Sequence, residues 1–185
     1  MLEQNNMRHI IYNLFAVALL LALPIAINAQ STKNDTTTIP KWAKTFPASL
    51  TLEDIKKLAE DGNADAQFEM GIRYNTGRGG LPRDFDKCAY WFEKAAKQGD
   101  AMSQFFYGVC YFNGQGVPQD FKQAAYWTRK SAEQGYPTAQ LVLGYNYLDG
   151  NGVERDKEQA AYWFKQAADQ GNEQAKAALE KLEKK

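Results

Sequence analysis

The stretch "GQGVPQDFKQAAYW" (residues 114–127) returns 36 residues later in altered form as "GNGVERDKEQAAYW" (residues 150–163). An earlier copy, "GRGGLPRDFDKCAYW" (residues 77–91), carries one additional residue near Gly80. Three kinds of residue keep the 36-residue spacing through all copies: Asp84, Asp120 and Asp156, then Trp91, Trp127 and Trp163, and finally Gly99, Gly135 and Gly171. Self-similarity at a fixed period of this length indicates a repeat architecture in which each copy is one supersecondary unit.

Each copy contains two segments with the pattern of a helix, called here helix A and helix B. In the last two copies helix A, as in "AQLVLGYNYLDG" (residues 139–150), ends at Asn-Gly or Asp-Gly, which favours a turn. Helix B opens at an aspartate such as Asp120, which can cap the helix by accepting a backbone N–H bond. It ends at a glycine such as Gly135, which suits a helix C-terminus. Because so small a helix pair cannot bury its apolar faces alone, the copies are expected to stack.

These segments carry a resemblance to a known family. The motif "AQFEMGIRY" (residues 66–74) recurs as "SQFFYGVCY" (103–111) and "AQLVLGYNY" (139–147). The pattern GxGVxxD…AxxW…AAxxG is present in the last two copies, with Ser131 in place of one alanine. The sequence resembles Sel1-like repeat proteins, which are relatives of tetratricopeptide repeats, over residues 51–182. The resemblance implies an all-α, right-handed α-solenoid of three repeats, with a concave surface that binds other proteins.

The predicted organisation is a targeting segment, a tether and a capped repeat array. A basic start, an apolar run over residues 10–23 and the small Ala29 form the pattern of a secretory signal peptide cleaved after Ala29, with Met1 and Met7 as alternative starts. A retained N-terminal membrane anchor is the alternative. We therefore expect export, to the periplasm or to the extracellular space. The predicted boundaries are a signal peptide at 1–29, a flexible tether at 30–48, an N-terminal capping helix at 51–62, repeats at 64–100, 101–136 and 137–172, and a C-terminal capping helix at 173–185.

The composition argues against several classes of function. The 22 Lys and Arg balance the 22 Asp and Glu, so no overall charge attracts nucleic acid or an anionic membrane. The one histidine, His9, is removed with the signal peptide, and with it the commonest general base and metal ligand. Two cysteines cannot build a four-ligand zinc site, and no remaining serine begins a Ser-x-x-Lys motif. We therefore predict no catalytic residue, metal or cofactor.

The two cysteines are placed symmetrically about a predicted turn. Cys88 lies eleven residues before Gly99, and Cys110 lies eleven residues after it. If the chain folds back at Gly99, the two thiols lie at one level of an antiparallel hairpin, and an oxidising compartment would permit a disulfide. The alternative is a pair of small buried thiols without a bond.

Residues that differ between the copies are the candidates for function. In the solenoids that the resemblance implies, the A helices line the concave face, and the position after the helix A glycine and the one three residues later point into it. With two flanking residues, this set is called here the A-helix strip: Ile72, Arg73, Asn75, Val109, Phe112, Tyr145, Asn146 and Leu148. The alternative is that Phe112 and Leu148 complete the core.

The sequence thus predicts an exported, non-enzymatic interaction module that binds another protein or peptide in the groove of its A helices, as an adaptor, a regulator or an inhibitor. No nucleic-acid partner is expected, and no membrane partner after signal cleavage. One alternative is a hydrolase of cell-wall material or β-lactams, for which no nucleophile and base are found. Another is a carbohydrate-binding solenoid that uses Tyr90, Tyr126 and Tyr162. Recurrence of these tyrosines in every copy favours packing or a solvated helix face over a sugar platform.

Overall fold

The computed structural model describes residues 50–184, which form eight α-helices and no strand. The helices are α1 (Leu52–Glu60), α2 (Ala64–Thr76), α3 (Phe85–Lys97), α4 (Ala101–Asn113), α5 (Phe121–Glu133), α6 (Pro137–Asp149), α7 (Lys157–Ala168) and α8 (Glu173–Glu183). Each helix packs mainly on the helices before and after it in the chain, as in a solenoid. The predicted all-α repeat solenoid is confirmed. The predicted signal peptide and tether lie outside the described residues.

The A helices of the three copies are α2, α4 and α6, and the B helices are α3, α5 and α7. Each B helix begins at one of the repeated aspartates. Asp84 accepts the backbone N–H of Lys87 at 3.0 Å, and Asp156 accepts that of Gln159 at 2.9 Å. Asp120 accepts two backbone N–H groups in the same way. The repeated aspartates are therefore N-caps, which explains why every copy carries one.

In the second and third copies, the second glycine of the GxG loop marks the contact with the preceding repeat. A Cβ atom at Gly116 would overlap the carbonyl oxygen of Phe85, and one at Gly152 would overlap that of Phe121. Phe85 and Phe121 are the first residues of the B helices in the preceding copies. Each loop therefore packs directly on the start of the previous B helix, and a side chain at this glycine would separate the two repeats.

The core runs along the A helices, and α4 is buried on nearly every side. The ring of Phe106 stacks on that of Phe92 at 5.3 Å and lies edge-on to that of Phe68 at 5.5 Å. This single contact set joins α2, α3 and α4. The apolar side chains on nearly every side of α4 are thus covered by neighbouring helices. Within residues 50–184, no helix has both the length and the apolar character needed to cross a membrane.

Candidate partner-binding surface

The structure places most of the A-helix strip inside the fold. Five of its eight side chains are buried, with relative exposures between 2% and 9%: Ile72, Asn75, Val109, Phe112 and Asn146. The expectation that the whole strip faces an open groove is therefore not what the structure shows. These five residues contribute to packing within and between repeats.

Phe112 illustrates why the helical period was not enough to predict exposure. Its ring lies edge-on to the ring of Phe121 at 5.2 Å, and its carbonyl accepts a hydrogen bond from Gln119 Nε2 at 2.7 Å. Both partners come from the segment after α4, which folds back over the end of that helix. Phe112 therefore completes the core, which is the alternative that the sequence left open for it.

Three members of the strip remain half-buried: Arg73 on α2, and Tyr145 and Leu148 on α6. The Arg73 Nε donates to Glu69 Oε1 at 2.7 Å, so an adjacent carboxylate already neutralises this cation. Tyr145 and Leu148 are three positions apart on one helix, which puts them on the same face. The ring of Tyr145 also lies edge-on to Phe164 at 4.9 Å, which fixes its orientation.

Tyr145 is partly withdrawn from water. Burial, and after it the nearby Asp149 carboxylate, raise the pKa of the Tyr145 phenol above its ordinary value. The phenol therefore stays protonated and offers an O–H group beside an apolar side chain, Leu148. An apolar body with one polar end is the kind of group that protein interfaces favour.

The B helices present a different row on their own faces. Tyr90, Tyr126 and Tyr162 are 47%, 51% and 51% exposed, and each ring lies edge-on to the tryptophan that follows it. The ammonium group of Lys94 lies 5.0 Å from the centre of the Tyr90 ring, and that of Lys130 lies 5.2 Å from the Tyr126 ring. Gln166 stands at the equivalent position beside Tyr162. In two of the three copies, a lysine therefore lies over the ring face that a sugar would need.

A cleft of about 620 Å³ between the second and third repeats was missed by the sequence analysis. Arg129 on α5 donates from Nη2 to the Tyr147 hydroxyl at 2.9 Å, while its buried Nε finds no acceptor among the described residues. Arg155, Glu154 and Asp156 also line the cleft. Two guanidinium groups and two carboxylates give it no net preference for an anion. In the sequence, the cleft is indicated only by Arg129, because the other two copies have Glu93 and Lys165 at the equivalent position.

Two carboxyl groups with a lowered pKa, those of Asp54 and Asp84, lie at helix starts. The pKa of the Asp54 carboxyl is lowered chiefly by the hydrogen bond from the Thr51 hydroxyl, in the capping box of α1. The pKa of Asp84 is lowered chiefly by the backbone N–H of Lys87 at the start of α3. Among residues 50–184, no group of three or more His, Cys, Asp or Glu side chains is arranged to hold a metal ion.

Comparison with protein-family models gives one family for the repeat array. The model described as Sel1 repeat matches three consecutive segments, residues 64–100, 101–136 and 137–172. This agrees with the resemblance seen in the repeated motifs.

Solved structures and curated proteins show the same similarity. A Sel1 repeat protein from Oxalobacter formigenes is 38% identical over 70% of this chain and 97% of that chain, with a TM-score of 0.65. A protective antigen of uropathogenic Escherichia coli strains that displays an SLR fold is 43% identical over 68% of this chain and 27% of that chain, also with a TM-score of 0.65. A stretch of 58 residues, 31% of this chain, is 40% identical to the ERAD-associated E3 ubiquitin-protein ligase component HRD3A of Arabidopsis thaliana, and spans 9% of that protein.

Proposed function

The chain belongs to the Sel1 repeat family, whose members typically act as non-catalytic scaffolds for protein–protein interaction, and we propose that it is an exported module that binds another protein through its A helices. Its role is that of an adaptor, a regulator or an inhibitor of the partner. The matched stretch spans only 9% of HRD3A, so similar repeats also occur inside a much larger protein. A unit that recurs in proteins of such different length supports the proposal of a binding module.

The proposal rests on the difference between the residues that all three copies share and the residues that vary from copy to copy. The shared residues cap helices, close loops and fill the core. At the strip positions the fold accepts quite different side chains, as in Arg73, Cys110 and Asn146, which occupy one position in the three copies. Among these varied positions, Tyr145 and Leu148 stay partly accessible on one face of α6.

The chemistry of this face indicates the kind of partner. Tyr145 and Leu148 offer apolar contact with one hydroxyl group, and the nearest strip cation, Arg73, is paired with Glu69. An apolar or aromatic side chain of a protein or peptide would therefore find apolar contact area here, beside the Asp149 carboxylate. We propose such a side chain as the anchor of the partner.

An affinity capture tests this function. The chain, expressed at full length with a C-terminal tag, is used to capture partners from an envelope extract of the source cells. Leu148→Asp is the test variant, and Tyr162→Asp is the matched control, because it places the same charge on a B helix. We expect a protein that the wild type and Tyr162→Asp retain and Leu148→Asp loses, with both variants folded by circular dichroism. Retention by Leu148→Asp with loss by Tyr162→Asp would contradict the A-helix surface.

Export rests on the signal pattern at residues 1–29 and has its own test. N-terminal sequencing of the protein recovered from cells is expected to begin at Gln30, after cleavage at Ala29. A chain that retains its first residues and stays in the cytoplasm would contradict export, and it would leave the binding function to be tested separately.

A carbohydrate-binding solenoid is the second candidate, because Tyr90, Tyr126 and Tyr162 are exposed in a periodic row. Aromatic rings of this kind can stack on sugars, but lysines lie over two of the three rings. Binding to peptidoglycan or another glycan that is lost in Tyr162→Ala and kept in Leu148→Asp would support this candidate over the first.

A further inference from the structure

Cys88 and Cys110 are buried in the same core cluster at the junction of the first two repeats. Cys88 lies on α3 and Cys110 on α4, and both side chains are almost completely buried, at 2% and 1% exposure. Both belong to the same core cluster, both thiols are free in the structure, and the Cys110 side chain is near enough to raise the pKa of the Cys88 thiol. We propose that these two residues form an intramolecular disulfide that ties the first repeat to the second.

The placement follows from the turn between the two helices. The Gly99 N–H donates to the Ala96 carbonyl at 3.0 Å, and Gly99 has a φ of 95°, so the chain reverses tightly at this residue. Residues equally far from the turn on two packed antiparallel helices lie at the same level, and both cysteines are eleven residues away. A disulfide also requires that the two side chains point toward each other. The burial of both side chains in one core cluster supports this second condition, which the sequence alone could not do.

The surroundings determine when the bond can form. The hydrogen bond with Cys110, and then burial among apolar side chains, hold the pKa of the Cys88 thiol well above its ordinary range. Since the thiolate is the reactive species, the folded dithiol reacts slowly with an oxidant. Oxidation is therefore expected while the hairpin of α3 and α4 assembles and its thiols are still accessible.

Oxidation of the two thiols to a disulfide balances in protons and electrons. Each thiol loses one proton, and the pair gives two electrons to a disulfide oxidant, whose own disulfide is reduced to two thiols. In an exported protein the oxidant is a disulfide-donating oxidoreductase, and in the laboratory it is oxidised glutathione. The product is lighter by two hydrogen atoms, about 2 Da.

The bond would link two neighbouring repeats of the solenoid. Cys88 lies in the first repeat and Cys110 in the second, so the link crosses the boundary at residue 100 between matched segments. In a solenoid the terminal repeats are held only by the neighbour interface, and they separate first. Closing the loop between the cysteines restricts the unfolded chain, and we expect the oxidised protein to melt about 10 °C above the reduced one.

The test uses the full-length chain with a C-terminal tag, in the form that cells produce. The protein is unfolded under reducing conditions, refolded with a mixture of oxidised and reduced glutathione, alkylated without further reduction, and weighed by mass spectrometry. We expect a monomer with no alkylated cysteine, and a melting temperature that falls when dithiothreitol is added. Two alkylated cysteines, or a covalently linked dimer, would overturn the proposal.

The control variant is Cys88→Ala with Cys110→Ala, which removes both thiols and leaves the helices otherwise unchanged. Its melting temperature is expected to be the same with and without dithiothreitol. A fall equal to that of the wild type would mean that the stabilisation has another source and would overturn the claim that the bond stabilises the array. If this variant does not fold, the alkylation result on the wild type still decides.

Discussion

The side-chain amide of Gln134 joins two repeats by donating to Gln104 Oε1 at 2.7 Å and to the Gly99 carbonyl at 2.9 Å. Gln104 Nε2 donates in turn to the Ala96 carbonyl at 3.3 Å. The ends of α3 and α5 are thus connected through the first turn of α4. Gln170 and Gln140 form the same connection one repeat later, at 2.8 Å. This glutamine ladder adds side-chain hydrogen bonds to backbone carbonyls at the helix ends.

Gln104→Leu is expected to weaken the ladder in the middle of the array. The change keeps the approximate volume but removes two hydrogen bonds, the one that Gln104 donates to the Ala96 carbonyl and the one that it accepts from the Gln134 amide. We expect the free energy of unfolding to fall by about 2 kcal/mol, measured by urea denaturation. Gln123→Leu is the matched control, because Gln123 is exposed at the start of α5. Equal losses in the two variants would show that the ladder does not contribute.

Gly144→Ala tests the close contact between α6 and α7. A Cβ atom at this position would lie 2.5 Å from the ring of Phe164, so the ring must move. We expect a loss of about 1–3 kcal/mol in unfolding free energy from overpacking. In a Phe164→Leu background the same change should be less destabilising, because the obstructing ring is gone. A double-mutant cycle without coupling between the two positions would contradict this contact.

The lowered pKa of the Asp84 carboxyl predicts that the stability of the fold depends on pH. Its pKa is lowered in the fold by the Lys87 backbone N–H, so the ionised form is bound more strongly in the native state. The stabilisation is present above the ordinary aspartate pKa, about 3.9, and is lost as the pH falls through the lower native value. Melting temperatures from pH 7 to pH 2 should therefore fall less in Asp84→Asn than in the wild type. Asp86→Asn, on the same helix, is the control, and a matching change there would contradict the assignment.

Phe112→Ala distinguishes a core residue from a groove residue. The buried ring contacts Phe121, so its removal leaves a cavity, and we expect a loss of about 3–4 kcal/mol in unfolding free energy. Leu148→Ala, at the equivalent position of the next repeat, should lose less than half as much, since Leu148 is only half-buried. Urea denaturation measures the loss of unfolding free energy in each variant. Similar losses would mean that both positions have the same environment, and would contradict the difference in burial.

The fold could be predicted from the sequence because its determinants are local and repeated. An aspartate such as Asp120 at a helix start and a glycine such as Gly135 at a helix end act within one turn, so their spacing defines the helices. Stacking then follows from the apolar faces. The same reasoning placed Cys88 and Cys110 at one level, since only the distance from the turn was needed.

Exposure on the A helices could not be predicted in the same way. Whether Phe112 faces solvent depends on where the following segment folds, and the helical period does not contain that information. The Gln104–Gln134 connection depends on the register between neighbouring copies, and the cleft at Arg129 depends on how two repeats meet. These features arise from contacts between elements that are distant in the sequence.

Photo-crosslinking in the source cells tests the A-helix binding surface most directly, because it captures a partner of any identity where that partner binds. The amino acid p-benzoylphenylalanine is introduced in place of Leu148 on α6 or of Tyr162 on α7, and circular dichroism checks that both proteins are folded. After irradiation, we expect a discrete crosslinked product from position 148 and none from position 162. A product from position 162 alone would show that the partner binds the B helices and would contradict the proposed surface.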